Sequence, residues 1–213
     1  MVGAKYIAIE GPIGVGKTTL ARLLADRYGG RLVLEDHVSN PFLTDFYKDR
    51  RRYAFQVQIY FLLSRFRQQQ EFLSGELLAS RVVADFFFGK DRIFAELNLN
   101  RDELALYDHV AAMLEKNVPL PDLIIYLTAS AETLLNRVKT RARDFEKPID
   151  VDYLTALGES YSRYFFHFSG APLLVINTEN VSFADEPAQF EYLLDRIENI
   201  KPGTSYLVPL GSK

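Results

Sequence analysis

The chain has no cysteine among its 213 residues, which excludes disulfides, thiolate catalysis and cysteine-based metal sites and fits a reducing cytosol without requiring one. It also lacks any apolar run near the ~20 residues that span a bilayer. Met1 to Tyr6 show no charged segment followed by an apolar stretch and cleavage site. The expectation is a soluble, cytoplasmic, unprocessed protein with no membrane partner, in which Asn180-Val181-Ser182 is not a glycosylation acceptor. Its three histidines, His37, His109 and His167, are scattered without ligand spacing and read as surface or core residues. There is no excess of positive charge either. With 25 Lys and Arg against 28 Asp and Glu the net charge is −3, a poor match for a polynucleotide backbone, so nucleic acid is not an expected partner. Internal repeats, low-complexity tracts and interdomain linkers are missing too, so residues 1–213 are expected to form a single domain.

The 48% hydrophobic content is enough for a substantial core. Five β-rich runs, Lys5 to Glu10, Leu32 to Leu34, Arg81 to Ala84, Leu123 to Leu127 and Leu173 to Ile176, alternate with helical patterns. This order predicts an α/β fold with a buried five-stranded parallel sheet flanked by helices, whose C-terminal strand ends form the ligand edge. Tyr53 to Leu73 reads as a long helix, apolar on most sides, needing cover inside the protein or at a subunit contact. Gln58 and Arg65 interrupt it seven positions apart, two turns along one face.

Gly11-Pro12-Ile13-Gly14-Val15-Gly16-Lys17-Thr18 matches GxxxxGK[ST] in full, follows the strand Tyr6-Ile7-Ala8-Ile9 and precedes the helical run from Thr19. Such a loop, a P-loop, cradles phosphates with backbone N–H groups; Lys17 reaches the β- and γ-phosphates and Thr18 offers a hydroxyl to Mg²⁺. The expected nucleotide-binding set is Gly11, Gly14, Val15, Gly16, Lys17, Thr18 and Thr19. ATPases, GTPases and small-molecule kinases share this loop, so the acceptor must be read elsewhere. Asp85, after the strand Arg81-Val82-Val83-Ala84, is the candidate acidic partner of a metal. Glu35 and its neighbour Asp36 follow the second strand, and either carboxylate suits a base that takes a proton from an acceptor hydroxyl. Arg137, Lys139, Arg141 and Arg143 punctuate a helix that ends in Asp144-Phe145-Glu146. Arg137 and Arg141 share a face, as a cationic lid over about residues 137–150 requires. Phe42, Phe46, Tyr47, Phe86, Phe87 and Phe88 supply aromatics, of which one or two are expected to touch a base.

Taken together, these segments resemble the deoxynucleoside kinase family from about residue 4 to 170, most of all its bacterial deoxyguanosine and deoxyadenosine kinases. The likeness rests on Glu10 to Thr19; on Glu35 with Asn40-Pro41-Phe42-Leu43 and Phe46-Tyr47; on Phe55 to Tyr60 with Ser64 to Arg67; on Val83-Ala84-Asp85 with Ile93-Phe94-Ala95; and on Arg137 through Glu146. The resemblance implies transfer of the ATP γ-phosphate to a deoxynucleoside 5′-hydroxyl in nucleotide salvage, with Mg²⁺ as cofactor, in a homodimer. It implies Glu35 rather than Asp36 as catalytic base, and Gln58 as the amide that meets the nucleobase. Tyr47 and Glu146 would hold the sugar 3′-hydroxyl, Arg65 would lie between base pocket and phosphate path, and Arg137, Arg141 and Arg143 would be lid arginines. Asp85 would contact Mg²⁺ indirectly. Many members carry an acid-Arg-Ser triplet after the third strand, whereas this chain has Asp85-Phe86-Phe87, the form shared by the deoxyguanosine-kinase-like bacterial members; the departure favours a purine. Asp91 and Arg92 are rival candidates for base choice. A nucleoside monophosphate kinase and a nucleotide-dependent switch without an acceptor are the competing readings, although Gln58, Tyr47 and Glu146 favour a neutral nucleoside.

Overall fold

The computed structural model describes residues 4–73 and 81–209. Its elements run β1 (Tyr6–Glu10), α1 (Lys17–Tyr28), β2 (Arg31–Val33), α2 (Leu43–Lys48), α3 (Arg50–Leu73), β3 (Val82–Ala84), α4 (Lys90–Asn98), α5 (Arg101–Glu115), β4 (Leu123–Thr128), α6 (Ala131–Arg141), a 3₁₀ turn (Asp144–Glu146), α7 (Val151–Phe166), β5 (Leu173–Asn177), α8 (Pro187–Glu198) and β6 (Thr204–Leu207).

The strands form one sheet in the order β2-β3-β1-β4-β5-β6, and every neighbouring pair is parallel. Five strands were expected and six are found among the described residues. The sixth, Thr204–Leu207, pairs with β5 from Leu173↔Thr204 to Ile176↔Leu207. Only Leu207 of its residues is buried, so the strand carries no apolar run to betray it. Its pairing comes from main-chain hydrogen bonds at a sheet edge, to which side-chain pattern is blind.

Ile7, Ala8 and Ile9 of β1 and Leu123, Ile124 and Ile125 of β4 have no solvent exposure. That is the continuous apolar character of a parallel sheet covered on both faces. The chain winds from β1 outward to β2 and β3 on one side, then crosses to β4, β5 and β6 on the other. Ligands of open parallel sheets bind at the carboxyl ends of strands beside such a reversal.

Helix termini are set by local chemistry. Gly29 closes α1 in the left-handed region and donates its N–H to Ala25 and Asp26 carbonyls, the usual glycine stop. Asn100 and Glu103 form a capping box on α5, while Ser130 caps α6 and Asp150 caps α7 through their side chains. The long helix α3 starts three residues before the expected Tyr53 and carries Gln58 and Arg65 inward, both 3% exposed. No helix among the described residues is long and apolar enough to cross a membrane.

Candidate active site

At the carboxyl end of β1 the chain turns through the glycine-rich loop into α1. Gly11 has φ +145°, and a Cβ there would lie 2.4 Å from the Leu127 carbonyl oxygen. At Gly14, with φ +86°, it would lie 2.8 Å from the Leu134 carbonyl. Backbone from β4 and α6 therefore occupies the space that any side chain would need, and the loop is held tight against both. Lys17 folds back along the loop and donates to the carbonyls of Gly11 at 2.7 Å and Pro12 at 3.0 Å. Burial, and then the nearby charge of Lys90, lower its pKa to about 8, against the opposing pull of Glu10, Glu35 and Asp85.

Asp85 joins the loop to the segment after β2. Its Oδ2 accepts the Thr18 hydroxyl at 2.6 Å and its Oδ1 accepts the backbone N–H of Glu35 at 2.7 Å. Two hard oxygens, the Thr18 hydroxyl and the Asp85 carboxylate, thus lie side by side at the foot of the loop, the donor type that suits Mg²⁺. Among the described residues no group of three or more His, Asp or Glu side chains is arranged to hold a metal, so the protein would contribute few of the ligands.

The Glu35 carboxylate is caught between two cations. Arg65 donates to Oε1 through Nε at 2.9 Å and through a terminal nitrogen, and Lys90 donates to Oε2 at 2.7 Å. Burial alone would raise its pKa, but Lys90 and Arg65 outweigh burial and hold Glu35 well below the usual carboxylate range. Asp36, its rival by sequence, is exposed, takes its hydrogen bonds from Ser39 and does not line the cleft. Arg65 is braced from behind by an ion pair with Asp91, which also accepts the Tyr107 hydroxyl at 2.8 Å. The Gln58 amide donates to the Asp91 carbonyl at 3.1 Å.

At the far end, Glu146 of the 3₁₀ turn is 4% exposed and is bound by Arg141 through Nε at 3.2 Å and a terminal nitrogen at 2.6 Å. Arg143 stands 3.6 Å away. Tyr47 stacks on Phe145 with ring centroids 6.3 Å apart. Burial pushes its phenol well above the ordinary value, so it acts as a neutral hydrogen-bonding group. Arg137 is tied to the loop after β5, donating to the Thr178 carbonyl at 2.6 Å.

All of this surrounds one open cleft of about 560 Å³. Of the residues singled out by sequence, Gly14, Val15, Gly16, Lys17, Thr18, Thr19, Glu35, Tyr47, Gln58, Arg65, Asp85, Arg137, Arg141, Arg143 and Glu146 line it; Gly11 is buried beneath. Six cationic side chains face three carboxylates along its walls, a local positive surplus in a chain of net charge −3, as a polyphosphate requires. Sequence reasoning gave no site role to Lys90, to the aromatics Phe61, Phe94 and Phe145, or to the loop residues Thr178 and Val181–Ala184, all on the cleft wall. Of the six aromatics offered for contact with a base, only Tyr47 lines the cleft. Asp91 is fully buried behind Arg65, and Arg92 points away to Asp108 at 2.6 Å; neither lines the cleft.

A parallel α/β sheet with a glycine-rich phosphate loop after its central strand and an arginine-bearing helix over the loop defines a P-loop kinase fold. A sequence-family model described as deoxynucleoside kinase matches residues 7–201. The deoxyguanosine kinase of Bacillus subtilis (strain 168) is 34% identical over 202 residues, covering 92% of this chain and 98% of that protein. The deoxyadenosine kinase of Dictyostelium discoideum is 37% identical over 210 residues, covering 93% and 84%. Among solved structures, the deoxyadenosine kinase from M. mycoides with bound dATP matches with a TM-score of 0.76 at 26% identity, covering 89% of this chain and 99% of that one. The chain belongs to the deoxynucleoside kinase family, and with it to the ATP-dependent phosphotransferases that act on deoxynucleosides. That membership sets aside the monophosphate-kinase and switch readings.

Proposed function

We propose that this cleft transfers the γ-phosphoryl group of ATP to the 5′-hydroxyl of a deoxypurine nucleoside, deoxyguanosine or deoxyadenosine. The observation that carries the reading is Glu35, poised between the phosphate loop and the Tyr47–Glu146 end of one cleft. Names of the relatives, deoxyguanosine kinase and deoxyadenosine kinase, support the purine.

Tyr47 and Glu146 hold the sugar 3′-hydroxyl, which leaves the 5′-hydroxyl facing Glu35. Gln58 meets the base edge, its remaining amide hydrogen and carbonyl oxygen supplying a donor and an acceptor. As the 5′-oxygen bonds to the γ-phosphorus, the bond to the β,γ-bridging oxygen breaks and ADP leaves. Glu35 accepts the hydroxyl proton. Its low pKa makes it a weak base, which suits a loose phosphoryl-transfer transition state in which the hydroxyl is oriented first and deprotonated late. Lys17 and the lid arginines Arg137, Arg141 and Arg143 neutralise charge on the phosphates. Thr18 and, indirectly, Asp85 would hold Mg²⁺, which would supply positive charge to the triphosphate.

Residues 1–213 act as one kinase unit, with residues 137–150 as its lid, in nucleotide salvage in the cytoplasm. A homodimer is favoured by the apolar side chains left exposed on neighbouring helices, Leu63 of α3 and Leu106 and Met113 of α5.

Initial rates with ATP and Mg²⁺ across the four deoxynucleosides, their ribo counterparts and their monophosphates test the reading. A deoxypurine is expected to lead, yielding its 5′-monophosphate; a pyrimidine lead would overturn the purine assignment, and an inert nucleoside panel would overturn the acceptor site.

A further inference from the structure

Lys90 is the one cation on the cleft wall that no motif anticipates, and its position is physically costly. It is 3% exposed, on the first residue of α4, where the positive end of the helix dipole disfavours a cation. Desolvating an ammonium there is expensive unless something anionic repays it. Glu35 repays part, through one N–H at 2.7 Å. Glu35 already has Arg65, and the buried Glu10 carboxylate is felt by Lys90 through charge alone, with no hydrogen bond between them, so two of the three N–H bonds of Lys90 are left over. The Lys90 ammonium lies 5.8 Å over the Phe94 ring, and its charge acts on both Lys17 and the buried Glu10. Two ammonium groups, Lys17 from the phosphate loop and Lys90 from α4, thus flank the point where the loop meets the acceptor carboxylate.

Position 86, where the acid-Arg-Ser pattern would bring an arginine, holds a fully buried Phe86 packed against Val33, Val82 and Ala84. Resting on the kinase reading above, we propose that Lys90 is a catalytic cation of this chain. It holds Glu35 in register with one N–H and offers its remaining N–H bonds to the phosphoryl group in flight, supplying from α4 the charge that residue 86 does not bring. An ammonium has three donors, and only one is spent on Glu35. The transferred phosphoryl group spreads its charge over three equatorial oxygens, so cations on opposite sides stabilise it more than a single one.

The test is a set of variants measured beside the wild type with its best deoxynucleoside. Lys90→Met is expected to lower kcat by about 100-fold, with the deoxynucleoside Kd and thermal midpoint nearly unchanged. Lys90→Gln should behave alike and stands in if the Met variant fails to fold, and Lys90→Arg should recover at least about ten-fold of the loss. Binding of ADP with fluoroaluminate and deoxynucleoside, a mimic of the transferring group, should weaken in step with kcat. That weakening should persist when Glu35→Gln is already present. Neutral variants that keep kcat within about three-fold of an active wild type would overturn the proposal. So would a loss of mimic binding that vanishes in the Glu35→Gln background, because Lys90 would then act only through Glu35. A wild type inert toward every deoxynucleoside would instead sink the kinase reading on which this rests.

Discussion

The two ends of the cleft are built in opposite ways. The donor end is made by contiguous chain: from Gly11 to Thr18 the backbone itself forms the cradle, and tight approach to the Leu127 and Leu134 carbonyls fixes its path. The acceptor end is made by side chains from distant parts of the sequence. Glu35 follows β2, Arg65 sits on α3, Asp85 follows β3, Lys90 and Asp91 open α4, and Tyr107 comes from α5. They meet in a chain of hydrogen bonds running from Thr18 through Asp85, Glu35 and Arg65 to Asp91. The donor end adds only cations, Lys17, Arg137, Arg141 and Arg143, to its backbone cradle, while the acceptor end buries carboxylates and cations against one another. A backbone cradle fits any nucleoside triphosphate; a buried charge network can be specific, but it is exposed to every substitution among its members.

The contrast can be broken most forcefully at Glu35. Glu35→Gln should reduce kcat by about 10³-fold, within the span of general-base losses, while deoxynucleoside binding by calorimetry changes little; near-normal turnover would remove Glu35 from the chemistry. Asp91 offers the next largest effect. Asp91→Ala leaves the buried Arg65 guanidinium without its second carboxylate and should cost about 3 kcal/mol of unfolding free energy in a denaturant titration. A loss below about 0.5 kcal/mol, the level of an ordinary surface change, would mean that the network is not structural.

A smaller effect lies in pH and separates the two ends. Lys17, lowered to about 8, loses its proton in the free enzyme as pH rises through that value, so kcat/KM for ATP should fall above pH 8. Glu35 has a depressed pKa. Its contribution to stability is complete above the unfolded carboxylate pKa of ~4.3 and is lost only as pH falls below that toward the folded value. Between pH 5 and 7 the profile should therefore be flat with respect to Glu35. An acid limb near neutrality that Glu35→Asp displaces would contradict this.

The same contrast explains what could be read from the sequence. The phosphate loop, β1 and β4 were legible because each states itself within a few consecutive residues. Glu35 could be told from Asp36 only by resemblance, since both follow β2; the fold separates them by turning one into the cleft and the other toward Ser39. Lys90 was illegible because nothing local distinguishes it from an exposed lysine at a helix start. Its meaning arises when β3 delivers α4 to the side of Glu35. Asp91 and Arg92 drew attention in its place, and both proved to lie off the cleft wall, one bracing Arg65 and the other bonded outward. The edge strand β6 was missed for a different reason, because main-chain pairing leaves no mark on side-chain periodicity.

That strand also bears on how the molecule behaves in a crowded solution. An open sheet carries unpaired N–H and C=O groups along both margins and can template the addition of a foreign strand. Here the margins are three residues of β2 and four of β6, with Pro209 shortly after β6 offering no amide donor. Among the described residues both margins of the sheet are thus short, which gives an intruding strand few groups to pair with.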